Sequence, residues 1–139
     1  MSRLKNIFAK LSPQKHETDS KSVTSFEEKY QDLGAFQYDN EGFTISYKDF
    51  STRLQWNDIT QLNAYKRDLI TIDRIEIEII VGDDCLTISE DLPGWFQFVC
   101  RTKERYPTIP KDWNNKIIQP AFATTFMTIY DKSKLASNG

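Results

Sequence analysis

The sequence predicts an α+β fold: a strongly bent antiparallel sheet, or a partly open barrel, capped by a helix at about 92–106 and followed by a C-terminal strand. Three observations carry that reading. Between Ala35 and Glu90 the hydrophobic period is two, and turn compositions interrupt it regularly. From Asp91 to Pro107 the period becomes helical, with a start signal at one end and prolines at the other. Thr124 to Tyr130 is rich in threonine and β-branched residues, which suit a pleated, half-buried surface.

Taken in order, Leu4, Ile7, Phe8 and Leu11 recur at helical spacing, with Ser2 placed to cap and Pro13 beyond the end. A short amphipathic helix over 3–11 is predicted, and a helix so short needs a surface to lie on, because nucleation costs more than its few hydrogen bonds return. Ser12 to Thr24 is polar and mixed in charge, the composition of a tether. Ser25 and Glu28 have capping-box spacing, Phe26, Tyr30 and Leu33 share a face, and Gly34 suits the C′ position, so a first helix is expected there. Strands follow at Ala35–Tyr38, Phe43–Tyr47, Thr52–Trp56, Leu62–Lys66, Arg74–Val81 and Cys85–Ser89. Asp39-Asn40-Glu41-Gly42 and Gly82-Asp83-Asp84 are tight-turn compositions.

The strand from Arg74 alternates cleanly. Ile75, Ile77, Ile79 and Val81 are assigned to the core face, and Arg74, Glu76 and Glu78 to water. Asp91 is the expected N-cap of the helix, Pro93 falls in its first turn, and Leu92, Phe96, Val99 and Tyr106 form its buried face, widened by Trp95 and Phe98. A helical turn after Trp113 places Ile117 beside it. The organisation expected is an N-terminal segment and linker (1–24), one globular domain (25–131) and a tail (132–139).

Composition narrows the function classes. Hydrophobic residues make up 39% and charged residues 27% of 139, an ordinary globular balance. The net charge of −2 divides unevenly: residues 1–25 hold five Lys/Arg against two Asp/Glu, leaving 13 against 18 for the rest. An acidic body without a Lys/Arg cluster argues against nucleic-acid binding. The spacing of Cys85 and Cys100 matches no zinc or redox signature, and both read as buried thiols of a reducing cytoplasm. Nothing approaches the ~20 apolar residues of a spanning helix. The only histidine, His16, lies in the tether, where no productive geometry is held. Asp83 with Asp84, Glu90 with Asp91, and Asp58, Asp68 and Asp73 each suit a turn, bend or cap, and no Gly-rich phosphate loop, nucleophile elbow or calcium loop is present. The expectation is therefore a non-catalytic domain with no metal and no cofactor; nothing in the sequence specifies an oligomeric state.

Leu54-Gln55-Trp56-Asn57-Asp58-Ile59-Thr60-Gln61-Leu62-Asn63-Ala64-Tyr65-Lys66, with Asp73-Arg74-Ile75-Glu76-Ile77-Glu78-Ile79 after it, resembles bacterial pleckstrin-homology-like and GRAM-type domains. Their second strand ends in an aromatic residue, a bend carrying Asp-Ile follows, and the next strand opens on an aliphatic residue. Trp56, Ile59 and Leu62 stand at those positions. The likeness covers about residues 35–106 and implies that Leu92 to Tyr106 closes one end of such a barrel. Some 30 residues after that helix depart from the pattern. Lys48 and Arg53 flank Asp49 without the second arginine that lipid-binding members carry.

The function expected is a cytoplasmic protein-binding module whose acidic body meets a protein partner, one of basic surface being the natural match. Its candidate contact residues are Lys66, Asp68 and Asp73 around one connection, and Glu90 and Asp91 before the helix. The alternative is a membrane-surface adaptor laying Leu4, Ile7, Phe8 and Leu11 on lipid, with Arg3, Lys5 and Lys10 at the headgroups. A carboxylate-dependent enzyme is the third reading and requires converging Asp/Glu in a pocket.

Overall fold

The computed structural model describes residues 8–11, 32–69, 72–118 and 125–136. Its strands are β1 (Phe8–Leu11), β2 (Phe36–Tyr38), β3 (Gly42–Tyr47), β4 (Phe50–Gln55), β5 (Gln61–Asp68), β6 (Asp73–Val81), β7 (Asp84–Ser89) and β8 (Thr125–Asp131). The helices among the described residues are α1 (Trp95–Arg105), α2 (Trp113–Ile117) and α3 (Lys132–Ala136), with a 3-10 turn at Trp56–Asp58. The α+β class and the antiparallel pairing are as the sequence predicts. The Ser12–Thr24 tether with His16, and the helix expected from Ser25 as far as Gln31, lie outside the described residues; Leu33 and Gly34, its expected end, are described, and Gly34 takes a left-handed φ of +54°.

The single bent sheet is corrected to two. β2, β3 and β4 form one antiparallel sheet; β7, β6, β5 and β8, in that order, form a second, and β1 runs parallel to β7 along its edge. No barrel closes. The cause is the 3-10 turn: Trp56 N–H donates to Glu41 O at 3.0 Å, Ile59 N–H donates to Trp56 O at 3.2 Å, and both side chains are buried. β5 thereby leaves the first sheet and pairs instead with β6 and β8.

The tight turns behave as their composition requires. Asp39 Oδ1 accepts the Glu41 and Gly42 N–H groups, each at 2.9 Å, so that Tyr38 and Phe43 pair across the loop. Val81 and Asp84 pair across Gly82-Asp83. Pairing of β8 with β5 slips between Leu62 and Asn63: Tyr130 faces Leu62, Thr128 faces Asn63, and Ile129 is the extra residue of a bulge.

An aromatic cluster joins the first sheet to α1. Phe98 of α1 stacks on Phe36 at 4.8 Å between ring centroids and meets Phe43 edge-on at 5.3 Å, while Phe43 lies 4.6 Å from Trp56. Each such pair adds ~0.5–1.5 kcal/mol beyond burial. Trp113 and Ile117 of α2 are buried in the same cluster, as expected.

Three further expectations are corrected. Asp91 is not the N-cap of the capping helix. Gly94 holds that place at φ +91°, with no side-chain cap, and Leu92-Pro93 forms a turn before it. Of the expected buried face, Leu92, Val99 and Tyr106 are buried, with Gln97, Phe98 and Thr102 beside them, and Phe96 is only half-buried. Phe8–Leu11 is a strand and not part of a helix: hydrogen bonding to the edge of β7 supersedes a helix too short to sustain itself. α3 follows β8 directly, at the start of the stretch read as a tail.

Gly34 and Gly94 mark a close crossing of two backbones. Ala35 N–H donates to Pro93 O at 2.9 Å, and a Cβ on Gly94 would fall on the Leu33 carbonyl. Gly82 has a similar left-handed φ of +64° but faces open space. Gly82→Ala therefore carries only the left-handed penalty, about 1 kcal/mol, whereas Gly94→Ala adds a backbone collision and loses about 2–4 kcal/mol. Urea unfolding of the two variants checks this; equal losses would show that the crossing does not constrain Gly94.

Candidate functional site at the β5–β6 hairpin end

Antiparallel register places the charged residues of β5 and β6 before any contact is considered. Lys66 faces Ile75, Tyr65 faces Glu76, Arg67 faces Arg74 and Asp68 faces Asp73. Lys66 shares the core face with Leu62 and Ala64, and its side chain is fully buried. Its stem continues the apolar column, and its ammonium donates to Ile118 O at 2.9 Å, just past the end of α2, with Asp73 Oδ2 3.6 Å away. Lys66, named from the sequence as a contact residue, is thus a buried group paired inside the fold, and it ties α2 to β5.

On the opposite face stands Glu76, which the sequence reading assigns to water and the structure buries completely. Two guanidiniums hold it: Arg67 Nε donates to Oε1 at 2.8 Å, and Arg74 Nη2 lies 3.2 Å from Oε2. Arg67 and Arg74 are direct cross-strand neighbours, so they would repel without an anion between them. Arg74 reaches on to Asp91 at 3.8 Å. Glu90 closes the frame, its Oε2 accepting the Ile75 N–H at 3.0 Å while its own N–H donates to Ile75 O at 2.9 Å.

All five sequence-named residues, Lys66, Asp68, Asp73, Glu90 and Asp91, therefore stand at one end of the second sheet. Sequence reasoning missed Arg67, Arg74 and Glu76, which link them. The available signal was the hairpin register, since two arginines placed opposite one another demand a carboxylate nearby.

Large exposed apolar side chains gather at this end as well. Of the six found among the described residues, Leu69 (36%), Ile72 (57%), Ile118 (43%) and Phe126 (55%) flank the hairpin and the strand ends beside it. Phe126 meets the Tyr65 ring edge-on at 5.1 Å, and the Arg67 guanidinium lies 5.9 Å from the centre of that ring.

Further along the outer face, Glu78 accepts the Asn63 Nδ2–H at 2.8 Å, and Thr128 Oγ1 donates to Asn63 Oδ1 at 2.8 Å. Cys85 belongs to the same face; burial, and then the neighbouring Glu78, push its thiol up to about 12. Cys100 is also raised, chiefly by burial. Neither is an activated nucleophile. Among the described residues no group of three His, Cys, Asp or Glu side chains is placed to hold a metal, and no helix is long and apolar enough to cross a membrane.

Of the lipid-facing set, Arg3, Leu4, Lys5 and Ile7 lie outside the described residues. Phe8, Lys10 and Leu11 belong to β1, so the helical face expected to carry them is not formed there.

Comparison with family models, with curated proteins and with solved structures yields no match.

Two outcomes follow from this geometry. Lys66→Met keeps the buried stem and removes the ammonium from Ile118 O and Asp73; a loss of about 2 kcal/mol is expected. Urea denaturation measures it, and a neutral result would mean that Lys66 contributes only through its stem. Alkylation of Cys85 by iodoacetamide in the folded protein should stay slow at pH 8 and climb only above about pH 10, as the thiolate forms. Mass spectrometry follows the adduct, and rapid labelling at pH 8 would contradict the suppressed thiolate.

Proposed function

We propose that the chain is a non-catalytic protein-binding module whose contact surface is the β5–β6 hairpin end of the second sheet. The observation that supports this is the gathering of Leu69, Ile72, Ile118 and Phe126 around a charged frame. Exposed apolar side chains set among charged ones mark a contact surface, and aromatic side chains such as Phe126 and Tyr65 are among the types that contribute most to binding.

The charge of this end favours a basic partner. Lys66, Arg67 and Arg74 stand against Asp68, Asp73, Glu76, Glu90 and Asp91, three cations to five carboxylates. Lys66 and Glu76 are buried, and of the remainder Arg67 and Arg74 stand against Asp68, Asp73, Glu90 and Asp91, two cations to four carboxylates. The matching surface on the partner is an apolar patch ringed by Lys or Arg.

Two antiparallel sheets, followed by a helix whose Phe98 stacks on the first of them, support reading the module as pleckstrin-homology-like, with β8 as an addition hydrogen-bonded to β5. Two unpaired thiols, Cys85 and Cys100, fit a reducing cytoplasm.

The test compares two variants in affinity purification from the native cell. Ile72→Asp combined with Phe126→Asp should abolish recovery of the partner that the unaltered chain retains, with the melting temperature within about 4 °C because both side chains are exposed. Leu135→Asp, at the other end of β8, should leave recovery intact. Retention by the double variant, or equal loss in both, overturns the assignment.

A further inference from the structure

A cleft of about 360 Å³ opens far from the hairpin, between the β2–β3 turn and the C-terminal half of α1. Asp39 and Asn40 line one side, Arg101, Glu104 and Arg105 the other, and Trp56 lies between them. Its volume falls in the range of small-molecule sites.

Arg101 is held in place before any ligand arrives. Its Nε donates to Gln97 Oε1 at 2.6 Å, and its guanidinium lies 3.9 Å from the centre of the Tyr38 ring. Gln97 is itself buried. These contacts use the ring-facing plane and the Nε–H; the two Nη groups make no hydrogen bond to a described residue. Arg105 follows at i+4, on the same helical face, and makes no ion pair with a described residue.

The acid across the cleft is unavailable to them. Asp39 receives Arg53 Nη2 at 2.7 and 2.9 Å and Arg53 Nε at 3.1 Å, besides the two turn N–H groups. Arg53 first, and the Glu41 N–H next, hold its carboxyl below the usual range. Glu104 makes no ion pair with Arg101 or Arg105. Two guanidiniums on one helix face repel each other, a cost the C-terminal end of the helix dipole reduces and an intervening anion would reverse.

We propose that this cleft binds a small ligand through an oxyanion, phosphate or carboxylate, gripped by Arg101 and Arg105. The grip is charge-assisted and directional, since guanidinium N–H pairs match the spacing of oxyanion oxygens. The Arg53–Asp39 pair acts as a positioning element that fixes the opposite wall.

Nuclear magnetic resonance of the full chain, labelled with nitrogen-15, tests this with inorganic phosphate and with acetate at constant ionic strength. The Arg101 Nε–H and Asn40 amide signals should shift saturably with either probe and stay fixed with chloride. Tighter saturation by phosphate assigns a phosphoryl ligand, and tighter saturation by acetate a carboxylate; either upholds the site. Arg105→Gln should weaken the tighter probe about tenfold. Lys48→Gln, which removes one positive charge at the other end of β3, should change nothing. Absence of saturation up to about 50 mM of both probes, or equal weakening by Arg105→Gln and Lys48→Gln, overturns the proposal.

Discussion

The position of Trp56 governs the rest of the molecule. Its N–H is bound by Glu41 O, its carbonyl accepts the Tyr106 hydroxyl at 2.7 Å, and its ring packs on Phe43, Phe98 and Tyr106. One residue thus joins the β2–β3 turn, the end of β4, and both ends of the helix that caps the core. Burial of Tyr106 in this joint drives its hydroxyl well above the ordinary phenol range, so it acts as a hydrogen-bond donor and not as an acid. Because the chain must turn at Trp56, it leaves one sheet and starts another, and every residue of the hairpin end is placed by that second sheet.

Charge is arranged around this joint in two different ways. At the hairpin end, cations and carboxylates satisfy one another inside the fold: Lys66 with Asp73, and Arg67 and Arg74 with Glu76. Removing one member of such a set strands its partners, which makes the arrangement costly to alter. Beside α1 the geometry is the reverse. Asp39 is saturated by Arg53, and the helix arginines are left with capacity to spare. The first pattern fixes structure and frames an apolar surface; the second leaves charge facing a cavity.

Much of the fold was legible because period and turn chemistry are local signals. β3, β6, β7 and β8 lie within a residue or two of their expected spans, and Asp39 and Gly82 sit in the turns their residue types require. What was not legible depends on distant partners. Nothing near Asp91 in sequence says that Gly94 must yield to the Leu33 carbonyl, so the helix start was misplaced. Glu76 alternates like a solvent-facing residue, and only the β5–β6 register shows that Arg67 and Arg74 converge on it. Phe8–Leu11 has helical spacing, but the edge of β7 determines its conformation. The five polar residues named from the sequence lie near strand ends at one end of the second sheet, while the arginines joining them became visible only with pairing.

The bulge at Ile129 bears on how this protein behaves at high concentration. β8 lies at the border of its sheet, a seven-residue strand without lysine or proline, the sort of border along which identical chains stack. The extra residue buries Ile129 and Tyr130 consecutively and breaks the pleat after Thr128. A second chain laid alongside would find regular spacing over only the first four residues before the twist carried it away. The same irregularity that lets Tyr130 stack on Tyr106 at 4.0 Å therefore shortens the regular stretch of border that a second chain could pair with.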